Sequence, residues 1–358
     1  MKEATKRSSL FDWKALLGIL LGAGLLYYSL RGISLGDVVA EIRRADPILF
    51  LASILLAVGP IVVRAWRWRA LLEPVRPGTS FGARFRATMI GFMANNILPA
   101  RVGEVARVYA LRRIEPVPVA ASIGSLVVER LLDGVVVISF LFLAMALPGF
   151  PAAAGEGAFG DGLGTVLTII GGVALVAIGM VVFPETVLSL VRRIASRILP
   201  ARIRGPVVDA TASLLAGLGS LRQPRLLARA AFWSLGVWFV NTLSFWIGFR
   251  AFGIETPFAS ALFLQSIIAL AVALPAAPGF FGPWEAAARV GLHDIYGVEL
   301  GKALGFAVGF HIGSFLTVTI PGLYFAWRIG LSWGEVGRET TPAPELPGAT
   351  SLTEPNQH

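Results

Sequence analysis

Long uncharged stretches set the terms for any fold this chain can adopt. Residues 134–155, 162–184, 230–249, 256–284 and 303–327 contain no Asp, Glu, Lys or Arg. Each is long enough to cross a ~30 Å hydrocarbon layer, which takes ~20 mostly apolar residues. Two shorter runs, 15–30 and 47–63, add spans once snorkelling ends are allowed for. Composition agrees: 55% of residues are apolar before 40 glycines are counted, and only 15% are charged, against ~25% in soluble domains. A water-soluble globule is excluded. The runs are continuous and do not alternate over ~10 residues, which excludes a transmembrane β-barrel. The predicted class is all-α, a polytopic membrane helix bundle of about six full spans plus two re-entrant or broken segments. The bundle occupies 15–328, between an N-terminal segment, 1–14, and a tail, 329–358, that lacks apolar periodicity and reads as disordered. The first run ends in Tyr28-Ser29-Leu30-Arg31 without a small-residue cleavage site and reads as an uncleaved anchor.

There is no cysteine, and the three histidines, His293, His311 and His358, are far apart in the chain. A disulfide framework, a thiolate metal site and Ser-His-Asp chemistry are therefore not expected. No phosphate-binding loop is present either. The sequence calls for no cofactor.

Arginine outnumbers lysine 27 to 4, and the positive-inside rule uses its placement. Arg64, Arg67, Arg69, Arg76, Arg84 and Arg86 form one cluster; Arg101, Arg107, Arg112 and Arg113 form a second. Both are expected on the cytoplasmic side of the inner or plasma membrane. Between them, 87–100 is too short and too polar for an ordinary span and reads as re-entrant. The loop 148–161 lacks Lys and Arg and is expected outside, the arginine-rich 192–229 inside, and both termini in the cytoplasm. The net charge of +9 then serves orientation and anionic lipid, with no nucleic acid partner.

A second break falls at Pro275, Pro278, Gly279, Gly282 and Pro283, and its landmarks echo the first. Leu98-Pro99-Ala100, Gly103-Glu104 and Ala106-Arg107-Val108 are matched by Leu274-Pro275-Ala276, Gly282, Glu285 and Ala288-Arg289-Val290, with Pro-to-Arg spacings of 8 and 14. Coincidence in an Ala-, Arg- and Leu-rich chain is the alternative to an inverted repeat. Interrupted segments entering from opposite faces point to a transporter with its path at the repeat interface.

Glu129, Arg130 and Asp133 lie roughly 17 Å along a helix starting near Pro118, well below the surface. They read either as a structural ion pair or as a polar lining for a charged headgroup. Arg101, Glu104 and Arg107 open an amphipathic helix whose guanidinium groups can fork onto phosphate or simply anchor on anionic lipid. Arg64, Arg67 and Arg69, interleaved with Trp66 and Trp68, read first as an interface belt. Asn95 and Asn96 suit helix capping and ligand contact equally. His311, Asn241 and Gln265 read as interhelical hydrogen-bonding groups, and nothing in the sequence marks His311 as a proton relay.

Several of these landmarks fall in one order: Arg64-Ala-Trp-Arg67-Trp with Leu71-Leu72, Asn95-Asn96-Ile-Leu-Pro99-Ala-Arg101-Val-Gly103-Glu104, Glu129-Arg130-Leu-Leu-Asp133, and Pro275-Ala-Ala-Pro278-Gly279 with Gly282 and Glu285. In this the chain resembles the lysylphosphatidylglycerol synthase transmembrane-region family, the flippase-like domain, over roughly 17–328. In that family's best-known members the membrane region precedes an aminoacyl-transferase domain and is associated with moving the modified lipid outward. Only about 30 residues follow Arg328, too few for such a domain. The resemblance thus implies a stand-alone translocation module. Its expected partner is an anionic phospholipid or a polyprenyl-phosphate-linked glycolipid, and its candidate substrate-binding residues are Arg64, Asn95, Asn96, Arg101, Glu104, Arg107, Glu129, Arg130, Asp133 and Glu285. Two other classes stay open: a glycosyl- or phosphotransferase on a polyprenyl lipid, with Glu104, Glu129 or Asp133 as base, and a small-solute secondary transporter. Oligomeric state is not legible.

Overall fold

A computed structural model of the chain describes residues 13–74, 76–98, 102–151, 183–200, 204–205, 207–208, 211, 223–273 and 278–331. Arg101, Pro275, the apolar run 162–184 but for its last two residues, most of the 148–161 loop and the tail beyond Leu331 lie outside them. All regular structure among the described residues is helical. Helices α1 (Trp13–Leu30) and α2 (Leu35–Arg44) meet at a bend of 72°. Ser34 caps α2, its hydroxyl accepting the Asp37 N–H while the Asp37 carboxylate accepts from the Ser34 N–H. Asp46 caps α3 (Pro47–Leu56) by accepting from Ile48 and Leu49 N–H, and α3 runs on into α4 (Gly59–Leu72). Then follow α5 (Phe81–Ile97), α6 (Gly103–Ile114), α7 (Val119–Ala146), α8 (Pro184–Ile198), α9 (Pro224–Ala251) and α10 (Phe258–Ala271). A 3-10 turn (Pro278–Phe280), α11 (Pro283–Ala288), a widened π turn (Arg289–Ile295) and α12 (Leu300–Arg328) complete the chain.

By length and composition three segments among the described residues suffice to cross a membrane: Pro47–Leu72, Pro224–Ala251 and Leu300–Arg328. The bent pair α1–α2 makes a fourth if counted as one span. Helix α7, with 28 residues, is as long as these, but carries Glu129, Arg130 and Asp133 in its middle.

Two apolar clusters mark the ends of the bundle. One joins the end of α4 (Leu71, Leu72), the start of α5 (Ala83), the end of α6 (Leu111, Ile114), the start of α7 (Val119), the start of α9 (Leu227, Ala230) and the end of α12 (Ala326). The other joins Ala45 after α2, the end of α9 (Ala251, Phe252), the start of α10 (Ala261), the π turn (Leu292), Val298 and the start of α12 (Ala303). Helix α5 therefore runs inward from the first end and α6 returns to it. The hairpin of α10, α11 and the π turn starts from and returns to the second. The inner end of one meets the other where α5 packs on the 3-10 turn.

Glycine makes each hairpin possible. A Cβ on Gly103 would collide with the Gly91 carbonyl and the Asn95 side chain, so α5 and α6 touch backbone to backbone. Gly282, at φ +100°, faces the Gly22 carbonyl of α1, where no side chain fits. Aromatic rings fill the second end: Phe245, Phe249, Phe306 and Phe310 are packed edge-on at centroid distances of 4.9 to 6.0 Å, each such contact contributing ~0.5–1.5 kcal/mol beyond area.

Candidate functional site

Helix α4 places Arg64 and Arg67 three residues apart on one face, and α7 places Glu129 and Asp133 four apart on the face opposite. The four meet inside the protein. Arg64 Nη1 is 2.7 Å from Asp133 Oδ2 and 3.4 Å from Glu129 Oε1. Arg67 reaches Asp133 Oδ1 at 2.5 Å through Nη1 and Glu129 Oε1 at 3.1 Å through Nη2. From α6, Arg107 Nη1 adds a 2.8 Å contact to Glu129 Oε1. Arg130 Nη2, next along α7, makes another at 2.8 Å and lies 3.8 Å from Glu104 through Nη1. Arg67 and Glu129 are fully buried and Arg107 is 2% exposed, whereas about half of the Arg130 side chain is open.

The surroundings hold these charges in place. Arg67 also donates to Ser234 Oγ at 2.8 Å, and Trp238 Nε1 donates to Asp133 Oδ1 at 3.0 Å, both from α9. The Arg107 guanidinium lies 3.8 Å from the Trp68 ring centroid, a cation–π stack strengthened by desolvation. Among the described residues, four guanidinium groups face two carboxylates, and the partly exposed Glu104 adds a third. Among the same residues, Arg107 Nε and Nη2, Arg67 Nε and the carboxylate oxygen Glu129 Oε2 are buried without a hydrogen-bond partner. The cluster thus holds more guanidinium groups than carboxylates, and each buried charge depends on its partners for its place.

Arg64 belongs to a second feature as well. It lines a cavity of about 240 Å³ walled by Pro60 and Ile61 beside it, Phe92 and Asn96 of α5, Asn241 and Phe245 of α9, Gln265 of α10, Trp284 of α11, and His311 and Ser314 of α12. The wall is mostly apolar with a few polar groups, as ligand cavities are.

The candidate residues divide accordingly. Arg64, Arg107, Glu129, Arg130 and Asp133 come together in the cluster, with Glu104 at its open edge. Asn96 lines the cavity while donating to Thr319 Oγ1 at 2.9 Å. Asn95 accepts the Gly103 N–H at 2.8 Å, so it closes the α5–α6 hairpin and stands outside the cluster. Glu285 is also elsewhere, buried against His311. Arg101 lies outside the described residues. The belt reading of Arg64 and Arg67 is replaced by burial; in that segment Trp66 and Arg69 are the exposed ones. Arg84 is internal as well, donating to the Ala65 and Thr79 carbonyls. The missed member is Arg67; its three-residue spacing puts it on one helix face with Arg64, but spacing alone does not say whether that face turns inward.

Comparison with known proteins places the whole bundle. The family model described as "Lysylphosphatidylglycerol synthase TM region" matches residues 15–322. The chain belongs to that family. Family relatives include a UPF0104 membrane protein of Methanothermobacter thermautotrophicus, 24% identical over 91% of this chain and 97% of the relative. A second one from the same organism is 27% identical over 81% and 86%. A protein named glycosyltransferase AglD of Haloferax volcanii is 25% identical over 81% of this chain, a match that takes in half of that protein. No solved structure matches. The family and the helices make this an integral membrane protein.

Proposed function

We propose that this chain is a lipid translocase, moving a phosphate-bearing or polyprenyl-linked lipid between leaflets. The observation that carries the reading is the double membership of Arg64: one guanidinium belongs to a buried cluster with surplus positive charge and also lines the central cavity. A charged group at the bilayer centre costs ~2.5–3.5 kcal/mol on insertion scales. A phosphate that moves against Arg64, with Arg67 and Arg107 behind it, exchanges hydration for guanidinium forks. The acyl chains stay in lipid throughout.

The hairpins α5–α6 and α10–α11, coming from opposite ends of the bundle and meeting beside this cavity, support an inverted-repeat arrangement. Orientation follows from charge. The end where α4, α6 and α12 finish and α9 begins carries Arg69, Arg112, Arg113, Arg225, Arg229 and Arg328, against Arg43, Arg44 and Arg250 at the other, and in this reading it faces the cytoplasm of the inner or plasma membrane, with both termini on that side. Glu104 and Arg130, the partly exposed members of the cluster, are the first contacts for a headgroup in this reading.

The test is flux in proteoliposomes containing acyl-chain-labelled phosphatidylglycerol, read by surface quenching. Wild-type protein should make the inner-leaflet label accessible, and Arg64→Gln should slow this at least tenfold while the variant stays folded. Equal rates in vesicles with and without protein would overturn the reading. A second reading, a transferase on a polyprenyl lipid, is favoured by the relative named glycosyltransferase. Against it, Glu129 and Asp133 are occupied by arginines, leaving Glu104 as the accessible carboxylate of the three candidates. Product formed by the purified chain from a sugar nucleotide and a polyprenyl phosphate would decide for it.

A further inference from the structure

Across the cavity from Arg64 stands a buried pair that the lipid pathway leaves unused. His311 Nδ1 lies 2.6 Å from Glu285 Oε1, and His311 Nε2 lies 2.9 Å from the Gly279 carbonyl oxygen. Glu285 Oε2 accepts the Gly282 N–H at 2.7 Å. Glu285 is 1% exposed and His311 6%; His311 lines the cavity and Glu285 sits behind it.

Hydrogen-bond chemistry restricts what this geometry can be. A carbonyl oxygen only accepts, so Nε2 carries a proton. The short Nδ1 to Oε1 contact then needs one more, either on Nδ1 as imidazolium facing carboxylate or on the carboxyl facing neutral imidazole. Without it, a nitrogen lone pair would oppose a carboxylate in a buried site, which is repulsive. The closed arrangement is therefore the proton-loaded one.

The groups that the pair fastens form the tip of the second hairpin. Gly279, Phe280 and Gly282 all have positive φ, at 70°, 61° and 100°, a conformation that costs a non-glycine residue free energy and persists only when its surroundings hold it. Phe280 and Trp284 of this tip line the cavity. Among the described residues, the charged group sharing that cavity is Arg64. Arg289, one turn beyond Glu285, donates to the carbonyls of Tyr28, Ser29 and Arg31, and His293 faces the Val298 carbonyl. Helices α5, α9 and α10 present the neutral Asn96, Asn241 and Gln265, and α3 has no titratable side chain.

We propose that His311 and Glu285 form a proton-binding site whose occupancy latches the α10–α11 tip against α12. Loss of the shared proton to cavity water would leave the pair anionic, open the Nδ1 to Oε1 contact and free the tip. That this would drive or gate lipid movement rests on the translocation reading; the proton site and latch do not.

The chain has no native cysteine, so Phe280→Cys takes a single spin label at the tip. The full chain in detergent, labelled there and with 15N-histidine, would be titrated by NMR and electron spin resonance. The expected result is that His311 nitrogens titrate, that Glu285→Gln displaces that titration, and that label mobility rises as the proton leaves. His311→Gln should abolish the pH dependence of mobility, and Glu285→Gln provides a second variant should the first not fold. A His311 signal that never titrates, or label mobility with the same pH dependence in wild type and both variants, would overturn the proposal. Vesicle flux is a separate arm: no lipid movement in any vesicle would end the translocation reading and leave the latch to be judged by the titration.

Discussion

At the residue scale, the buried cluster makes asymmetric demands on its members. Removing Asp133 takes the nearest carboxylate from two buried guanidinium groups, so Asp133→Asn should cost on the order of 3–5 kcal/mol, seen as a lowered unfolding midpoint in detergent. Glu104→Gln removes a 3.8 Å contact between two partly exposed side chains and should cost less than about 1 kcal/mol by the same measurement. Much of this cluster was legible. Glu129, Arg130 and Asp133 stood out as charges too deep to be casual, and the pairing of Arg130 with Asp133 follows from their three-residue spacing along one helix. Arg67 was not legible. Arginines alternating with tryptophans look alike whether they line a membrane surface or turn inward onto another helix, and only the partner helix distinguishes the two. The same holds for Glu285: its partner His311 is 26 residues away.

At the element scale, the α5–α6 hairpin depends on two glycines that leave no gap between backbones. Gly103→Ala should force the helices apart and cost about 1–3 kcal/mol. Gly134→Ala on α7, where a Cβ would meet nothing within 4 Å, should be neutral or stabilising by up to ~1 kcal/mol through helix propensity. Chemical or thermal unfolding of the two variants side by side checks the contrast. Both chain breaks could be read from proline and glycine. The beginning of α5 could not, because Arg84 and Arg86 so close to the run 87–100 suggested a surface segment. The helix nevertheless starts at Phe81, capped by Ser80, since the Arg84 guanidinium is satisfied internally by carbonyl oxygens.

On the scale of the whole molecule, charge placement and the broken segments already implied hairpins from opposing ends, and the apolar clusters at the two ends agree with that order. The cavity was beyond reach of sequence reasoning, because a void is a joint property of side chains on many elements. Filling it gives a test independent of charge: Ala269→Trp, from the cavity wall on α10, should reduce lipid flux several-fold in vesicles while leaving Arg64 and its partners intact. Unchanged flux would place the path elsewhere.

The two hairpins are not equal partners. One is pinned by bare backbone contact and by a guanidinium stacked on an indole; the other ends in three residues of positive φ, Gly279, Phe280 and Gly282, fastened by one histidine and one glutamate. A vice works with one jaw bolted down, and under the proposed latch the fixed jaw is the one that carries Arg107 while the sliding one carries the release.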